Sequence, residues 1–165
     1  MQQLAMSRGQ TERADFDALI GPHLDAGYRT ALAILRDPDA ARDAVQEAAF
    51  KAWRKLDQLH EGRPARPWFL TIVANQCRSE RRRHWWSVVR VPEVESPGVD
   101  VETDSLDINR ELAKLPREDR LALFLYFYLD LPMEDVGAVL GLSAGGAKTR
   151  VYRAAKKLRP GLEMN

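Results

Sequence analysis

A chain of 165 residues, 45% hydrophobic and 30% charged, has the composition of a globular protein with room for one medium domain or two small ones. Its formal net charge of +1 gives no bulk attraction to nucleic acid, so any such role must rest on how the charge is distributed. One cysteine, Cys77, excludes an internal disulfide framework and a cysteine-built zinc site; it reads as a small buried hydrophobe suited to a reducing compartment. Residues 1–10 lack the apolar core of a signal peptide, and the longest apolar run, Leu121 to Leu129, is far short of the ~20 residues of a spanning helix. A cytoplasmic protein without membrane insertion is expected.

Strand signals are weak, and the expectation is an all-α chain in two halves. Phe16, Leu19, Ile20, Leu24, Ala31 and Leu35 recur at helical spacing, interrupted at Gly21-Pro22. Asp37-Pro38-Asp39 reads as a turn that starts the next helix, over Ala41 to Leu56. Its apolar side carries Val45, Ala48, Ala49, Ala52 and Leu56, and its polar side Asp43, Gln46, Glu47, Lys51 and Arg54. After a loop from Leu59 to Arg66, Pro67 opens a helix that runs through Trp68, Ile72 and Asn75 into Arg81-Arg82-Arg83.

Between Val91 and Asp107 stand six acidic residues and no lysine or arginine, with Pro92, Pro97 and Gly98 among them, the composition of a flexible linker. This acidic stretch is a candidate partner for the cations of Arg78 to Arg83. The second half begins at Leu115-Pro116-Arg117-Glu118-Asp119, with proline early and acids in the first turn. Leu121, Phe124, Leu125 and Tyr128 form an apolar face before Leu131-Pro132 breaks the chain. A short helix from Met133 to Leu140, a Gly141 stop, Leu142, a Ser143 cap and a last helix from Ala144 to Leu158 give the layout of a helix-turn-helix.

In that last helix Ala147, Val151, Ala154 and Leu158 share an inward face. From Ser143 to Pro160 there are six basic residues and no acidic one. A helix fixed to its domain on one side and presenting cations and donors on the other is what the major groove of DNA admits. A basic helix end that merely complements its own dipole is the plainer alternative. His23, His60 and His84 are scattered, and no phosphate loop or nucleophile motif is present. No enzyme activity, metal, cofactor or small-molecule substrate is expected.

Two segments, in order, resemble one family. Asp37-Pro-Asp-Ala-Ala-Arg-Asp-Ala-Val-Gln-Glu-Ala-Ala-Phe-Lys-Ala-Trp53 is similar to the polymerase-binding helix of sigma region two. Leu140-Gly-Leu-Ser-Ala-Gly-Gly-Ala-Lys-Thr-Arg-Val-Tyr-Arg-Ala-Ala-Lys-Lys-Leu158 is similar to the recognition helix of sigma region four. Between them, Arg66-Pro-Trp-Phe-Leu-Thr-Ile-Val-Ala-Asn75 resembles the family's promoter-melting helix, and the acidic connector stands where a third region is missing. The chain thus resembles the extracytoplasmic-function (ECF) sigma factors of bacterial RNA polymerase.

The resemblance implies a region two domain over residues 11–87, an acidic linker over 88–108 and a region four domain over 109–162. Core RNA polymerase and promoter DNA are the implied partners, with an anti-sigma factor as regulator. Asp43, Gln46, Glu47, Phe50, Lys51 and Trp53 match the polymerase-docking motif, although Phe50 and Trp53 read equally as core aromatics. His60, Arg63, Arg66, Trp68, Asn75, Arg78, Arg81 and Arg82 match the part that binds the minus-ten element. Trp68 is open between DNA and core, and Trp85 and Trp86 between packing against the other half and lying beside DNA. Ser143, Lys148, Thr149, Arg150, Arg153 and Lys157 match the minus-thirty-five reader.

Pro132 departs from the family's serine or threonine cap, Gly137 from a common alanine, and Ser79 from a frequent aspartate. Gly146 and Ala147 replace a usual threonine and a β-branched residue. The pair Gly145-Gly146 weakens the start of the recognition helix by roughly 1 kcal/mol each against alanine. A helix-turn-helix regulator that binds duplex DNA without polymerase is the rival reading.

Overall fold

The computed structural model describes residues 13–59, 62–87 and 106–162, and every regular element among them is helical. The first half holds α1 (residues 13–20), α2 (Leu24–Leu35), α3 (Pro38–Arg54) and α4 (Ala65–Ser87). A 3₁₀ turn at Gly21–His23 carries the expected interruption, with Pro22 inside it. Asp37 caps α3: its carboxylate accepts from the Asp39 and Ala40 amides at 2.9 and 3.0 Å, and Pro38 takes the first helical position.

The inner face of α3 consists of Ala41, Ala44, Ala48 and Ala52, all buried. Side chains this small let α3 lie close to α2 and α4, and the bulk of the core comes from Ile20 of α1, Ile34 of α2 and Phe69, Leu70 and Val73 of α4. Gly27 serves the same purpose between α2 and α4. A Cβ there would stand 2.7 Å from the Phe69 ring, so only glycine lets that ring fill the space. Cys77 is fully buried in this core, and burial pushes its thiol up to about 12, which fits a packing role.

The second half holds α5 (Leu106–Lys114), α6 (Arg117–Leu123), α7 (Met133–Leu140) and α8 (Ala144–Leu162). Helix α5 starts inside the stretch read as linker. Ile108, Leu112 and Leu115 recur at i, i+4 and i+7 and give it an apolar face, which the run of acids before it obscures in the sequence. The rest of that acidic stretch, 88–105, lies outside the described residues.

Helix α6 does not run on as a regular helix through Tyr128. Residues Phe124–Tyr128 widen into a π turn, closed by the Leu129 amide on the Phe124 carbonyl at 3.0 Å. Leu121 and Leu125 remain buried, but the extra residue in the turn carries Tyr128 out of the expected apolar face, 45% exposed and against α2. Gly141 adopts φ 71° and ends α7, the Leu142 amide bonds the Gly137 carbonyl at 2.8 Å, and Ser143 Oγ accepts from the Gly146 amide at 3.1 Å.

Gly137, a departure from the family's alanine, has a packing reason here. A Cβ at this position would lie 2.7 Å from the Leu142 carbonyl oxygen, so the turn closes against bare backbone. The two halves touch along a seam where α4 lies on α7 and α2 meets α6 and the π turn.

Candidate nucleic-acid interface

Helix α8 is bolted to its domain by Ala147, Val151 and Ala154, all buried. At 100° per residue the opposite side carries Thr149, Tyr152, Arg153 and Lys156, which are exposed, with Lys148 and Lys157 exposed on the two flanks. Arg150 sits nearer the buried stripe and is only half-exposed. Ser143 is committed to capping the helix through its Oγ, and the Thr149 hydroxyl donates to the Gly145 carbonyl at 3.0 Å. Lys148 Nζ lies 6.0 Å over the Tyr152 ring.

Tyr152 was not among the residues read from the sequence as DNA contacts. It is 64% exposed, and its ring stands in the middle of the outward face. The signal was available: Tyr152 is out of phase with the Ala147, Val151, Ala154 stripe, and an aromatic residue on a polar face asks for a partner. Lys157, assigned to the upstream element, is paired at 2.7 Å with Asp119 of α6.

On α3, Asp43, Gln46, Glu47, Phe50 and Trp53 project from the side opposite its alanine face, and all are exposed. Phe50 is 59% and Trp53 40% exposed. This resolves their two readings: neither is a core aromatic, although Trp53 leans on Phe16 with ring centroids 5.5 Å apart. Arg54 stacks 5.9 Å from the Phe50 ring centre. Lys51 belongs elsewhere. Its Nζ donates to Gln76 Oε1 on α4, and Gln76 in turn donates to Glu80 at 2.7 Å. Lys51 therefore braces α3 against α4 rather than extending the α3 outer face.

On α4, Asn75 is exposed, Arg66 and Trp68 are half-buried, and Arg63 is exposed in the preceding loop. Trp68 packs against the core with one side, which favours the core half of its double reading. His60 lies outside the described residues, as do the side chains of Arg81, Arg82, Trp85 and Trp86. Arg78 does not face solvent freely. Its Nη2 meets Glu118 Oε2 of α6 at 3.1 Å, and Nη1 and Nη2 both donate to the Val139 carbonyl of α7 at 3.3 Å. Nη1 also donates to Asn75 Oδ1 at 3.1 Å. The carboxylate on Arg78 thus comes from the second helical half; residues 88–105 of the acidic connector, the partner that the sequence offered, lie outside the described residues.

A cleft of about 500 Å³ opens along the seam, lined by His23, Asp25, Arg29, Arg66 and Tyr128 among others. Arg29 pairs with Asp25 at 2.8 Å and donates to the Tyr128 hydroxyl; these contacts hold its proton more firmly than usual, the Asp25 bond first. His23 is pushed below its ordinary range, by burial first and by Arg66 second. Among the described residues no helix is long and apolar enough to cross a membrane, and no cluster of acidic, histidine and cysteine side chains is arranged to hold a metal.

The sequence matches the family description "Sigma-70 region 2" over residues 19–87 and "Sigma-70, region 4" over residues 105–158. It is 31% identical over 157 residues to the ECF RNA polymerase sigma factor SigL of Mycobacterium tuberculosis, covering 90% of this chain and 89% of that one. It is 28% identical over 159 residues to the RNA polymerase sigma factor SigV of Bacillus subtilis, covering 93% and 95%. Among solved structures, the sigma factor RpoE in complex with the anti-sigma factor NepR from Bartonella quintana superposes with a TM-score of 0.73 at 26% identity, over 92% of this chain and 98% of RpoE. CnrH in complex with the cytosolic domain of CnrY shares the fold, with a TM-score of 0.67 at 24% identity over 93% and 90%. With region two carried by α1–α4, region four by α5–α8 and a relative above 30% identity along nearly the whole chain, the protein belongs to the ECF sigma factors, the transcription initiation factors that bind core RNA polymerase and promoter DNA.

Proposed function

We propose that the outer face of α3 is the polymerase dock and the outer face of α8 the reader of the upstream promoter element. The single observation that carries this reading is the pair of outward faces, one on each half. Asp43, Gln46, Glu47, Phe50 and Trp53 form a mixed polar and aromatic surface on a helix held rigid by its alanine face. Such a surface supplies buried aromatic anchors and charges that fix register against a partner. Lys148, Thr149, Tyr152 and Arg153 form the second face, on a helix suited to the major groove. Arg153 reads a base edge there and Lys156 holds a phosphate, which gives affinity without sequence.

Arg63, Arg66 and Asn75 border the region that engages the minus-ten element. Opening the duplex there costs a few kcal/mol of lost stacking. Capture of unstacked bases and single-strand phosphates offsets that cost. The protein performs no covalent chemistry: it positions polymerase, and polymerase makes RNA. It works in the cytoplasm, where polymerase is found. An anti-sigma factor holds it inactive, a reading supported by the likeness to RpoE bound to NepR.

Purified chain mixed with core RNA polymerase tests the reading. The expected result is a stable complex that starts transcription at a specific promoter. A chain that binds duplex DNA but neither joins polymerase nor supports initiation overturns it in favour of a plain helix-turn-helix regulator.

A further inference from the structure

Two adjacent acids in the first turn of α6 each occupy a cation that the family resemblance assigns to promoter DNA, one in each half. Glu118 holds Arg78 of region two, and Asp119 holds Lys157 of region four. The Glu118 contact crosses the seam. Arg78 is bound there by two different groups of the second half, the Glu118 carboxylate and the Val139 carbonyl, and its side chain is 28% exposed against 37% for Glu118.

The docked halves cannot both reach their promoter elements. The minus-ten and minus-thirty-five elements lie about 25 base pairs apart, roughly 85 Å at 3.4 Å per step. A compact chain of this length has a radius of gyration of about 15 Å. Duplex DNA is stiff over that distance, so the two grips require the seam to part.

We propose that Glu118 is a latch: it stands in for a DNA phosphate on Arg78, and so keeps the halves docked and the downstream DNA surface masked until polymerase and promoter draw them apart. The proposal rests on the sigma-factor reading above. Its physical content is competition, since Arg78 cannot hold Glu118 and a nucleic-acid phosphate at once. The fraction of open molecules then scales the apparent affinity for any partner that needs the halves separated. The pair is half-exposed, so the latch is weak, salt-sensitive and easily displaced.

The test uses the full chain carrying a donor and an acceptor dye at Lys55→Cys and Glu134→Cys, one exposed position in each half, with buried Cys77 left in place. Single-molecule energy transfer counts docked and open molecules, and a parallel titration with core polymerase measures apparent affinity. Glu118→Gln is expected to raise the open-to-docked ratio and the polymerase affinity about two- to fivefold. Glu118→Lys, which places a like charge against Arg78, raises both further. Adding Arg78→Glu to Glu118→Lys restores the docked population. Asp119→Asn, in the same helical turn but paired within its own half, leaves the ratio unchanged and controls for damage to α6. An unaltered ratio in Glu118→Lys, in a chain that still joins polymerase, overturns the latch alone. A chain that never joins polymerase overturns the proposal through the reading it rests on.

Discussion

Gly137 and Tyr152 are single residues whose roles depend on what faces them. At Gly137 the Leu142 carbonyl sits where a methyl group would go, and backbone cannot retreat as a flexible side chain can. Gly137→Ala is therefore expected to lower stability by about 1–3 kcal/mol, read as a drop in the thermal unfolding midpoint, although alanine is the better helix former. At Tyr152 the exposed ring lies beside Lys148 on the outward face of α8. In the proposed reading the ring enters the major groove, where it can contact a thymine methyl, whereas Lys156 holds a phosphate. Tyr152→Ala is expected to relax preference at one base pair of the upstream element by about 1 kcal/mol. Lys156→Ala should weaken binding to all sequences alike and flatten the salt dependence. Binding to a library of upstream elements at two salt concentrations separates the two outcomes. Neither residue is decided by its identity alone, because glycine in a helix and tyrosine on a helix have meaning only once the neighbouring turn and the outward direction are known.

Helix α3 shows how an element divides its residues between folding and function. Its buried side is alanine, which contributes close approach more than apolar area, and its large aromatics point outward. Phe50→Ala is expected to leave the unfolding midpoint nearly unchanged, since the ring is mostly exposed, while costing about 1–2 kcal/mol in polymerase affinity. Glu47→Lys should weaken the same association without unfolding the chain, measured by titration against core polymerase. A loss of fold in either variant would move those residues from docking to packing. The helical period and the Asp37-Pro38 start were readable in the sequence because capping and φ restriction act locally. The π turn at Phe124–Tyr128 was not, since a run of Phe, Leu and Tyr fits either helix equally well; in the fold the turn sets Tyr128 against Arg29 of α2. Helix α5 was missed for a related reason: its apolar face is visible only when Ile108, Leu112 and Leu115 are read across the end of an acidic stretch.

At the scale of the whole molecule, the seam between the halves gathers groups from distant parts of the chain. His23, Asp25, Arg29, Arg66 and Tyr128 line its cleft, and burial together with Arg66 lowers the His23 pKa below its ordinary 6.5. A base whose folded pKa is depressed binds its proton more readily when unfolded, so its contribution is present above pH 6.5 and is lost as pH falls through the lowered folded value. Stability is expected to decline over that window, and His23→Gln to flatten the decline, as followed by denaturant titration between pH 7.5 and pH 5. The sequence by itself determined that the chain is helical, that it has two halves, that the second ends in a helix-turn-helix, and that its motifs match sigma regions two and four. Those features rest on local periodicity, caps and turns, which act between residues a few positions apart. Only the tertiary structure decided that Arg78 is engaged by Glu118, that Lys51 braces α4, that Phe50 and Trp53 point outward, and that the halves meet along α4 and α7. Each of those facts pairs groups far apart in the chain or fixes the direction of a side chain, and both depend on which elements pack together.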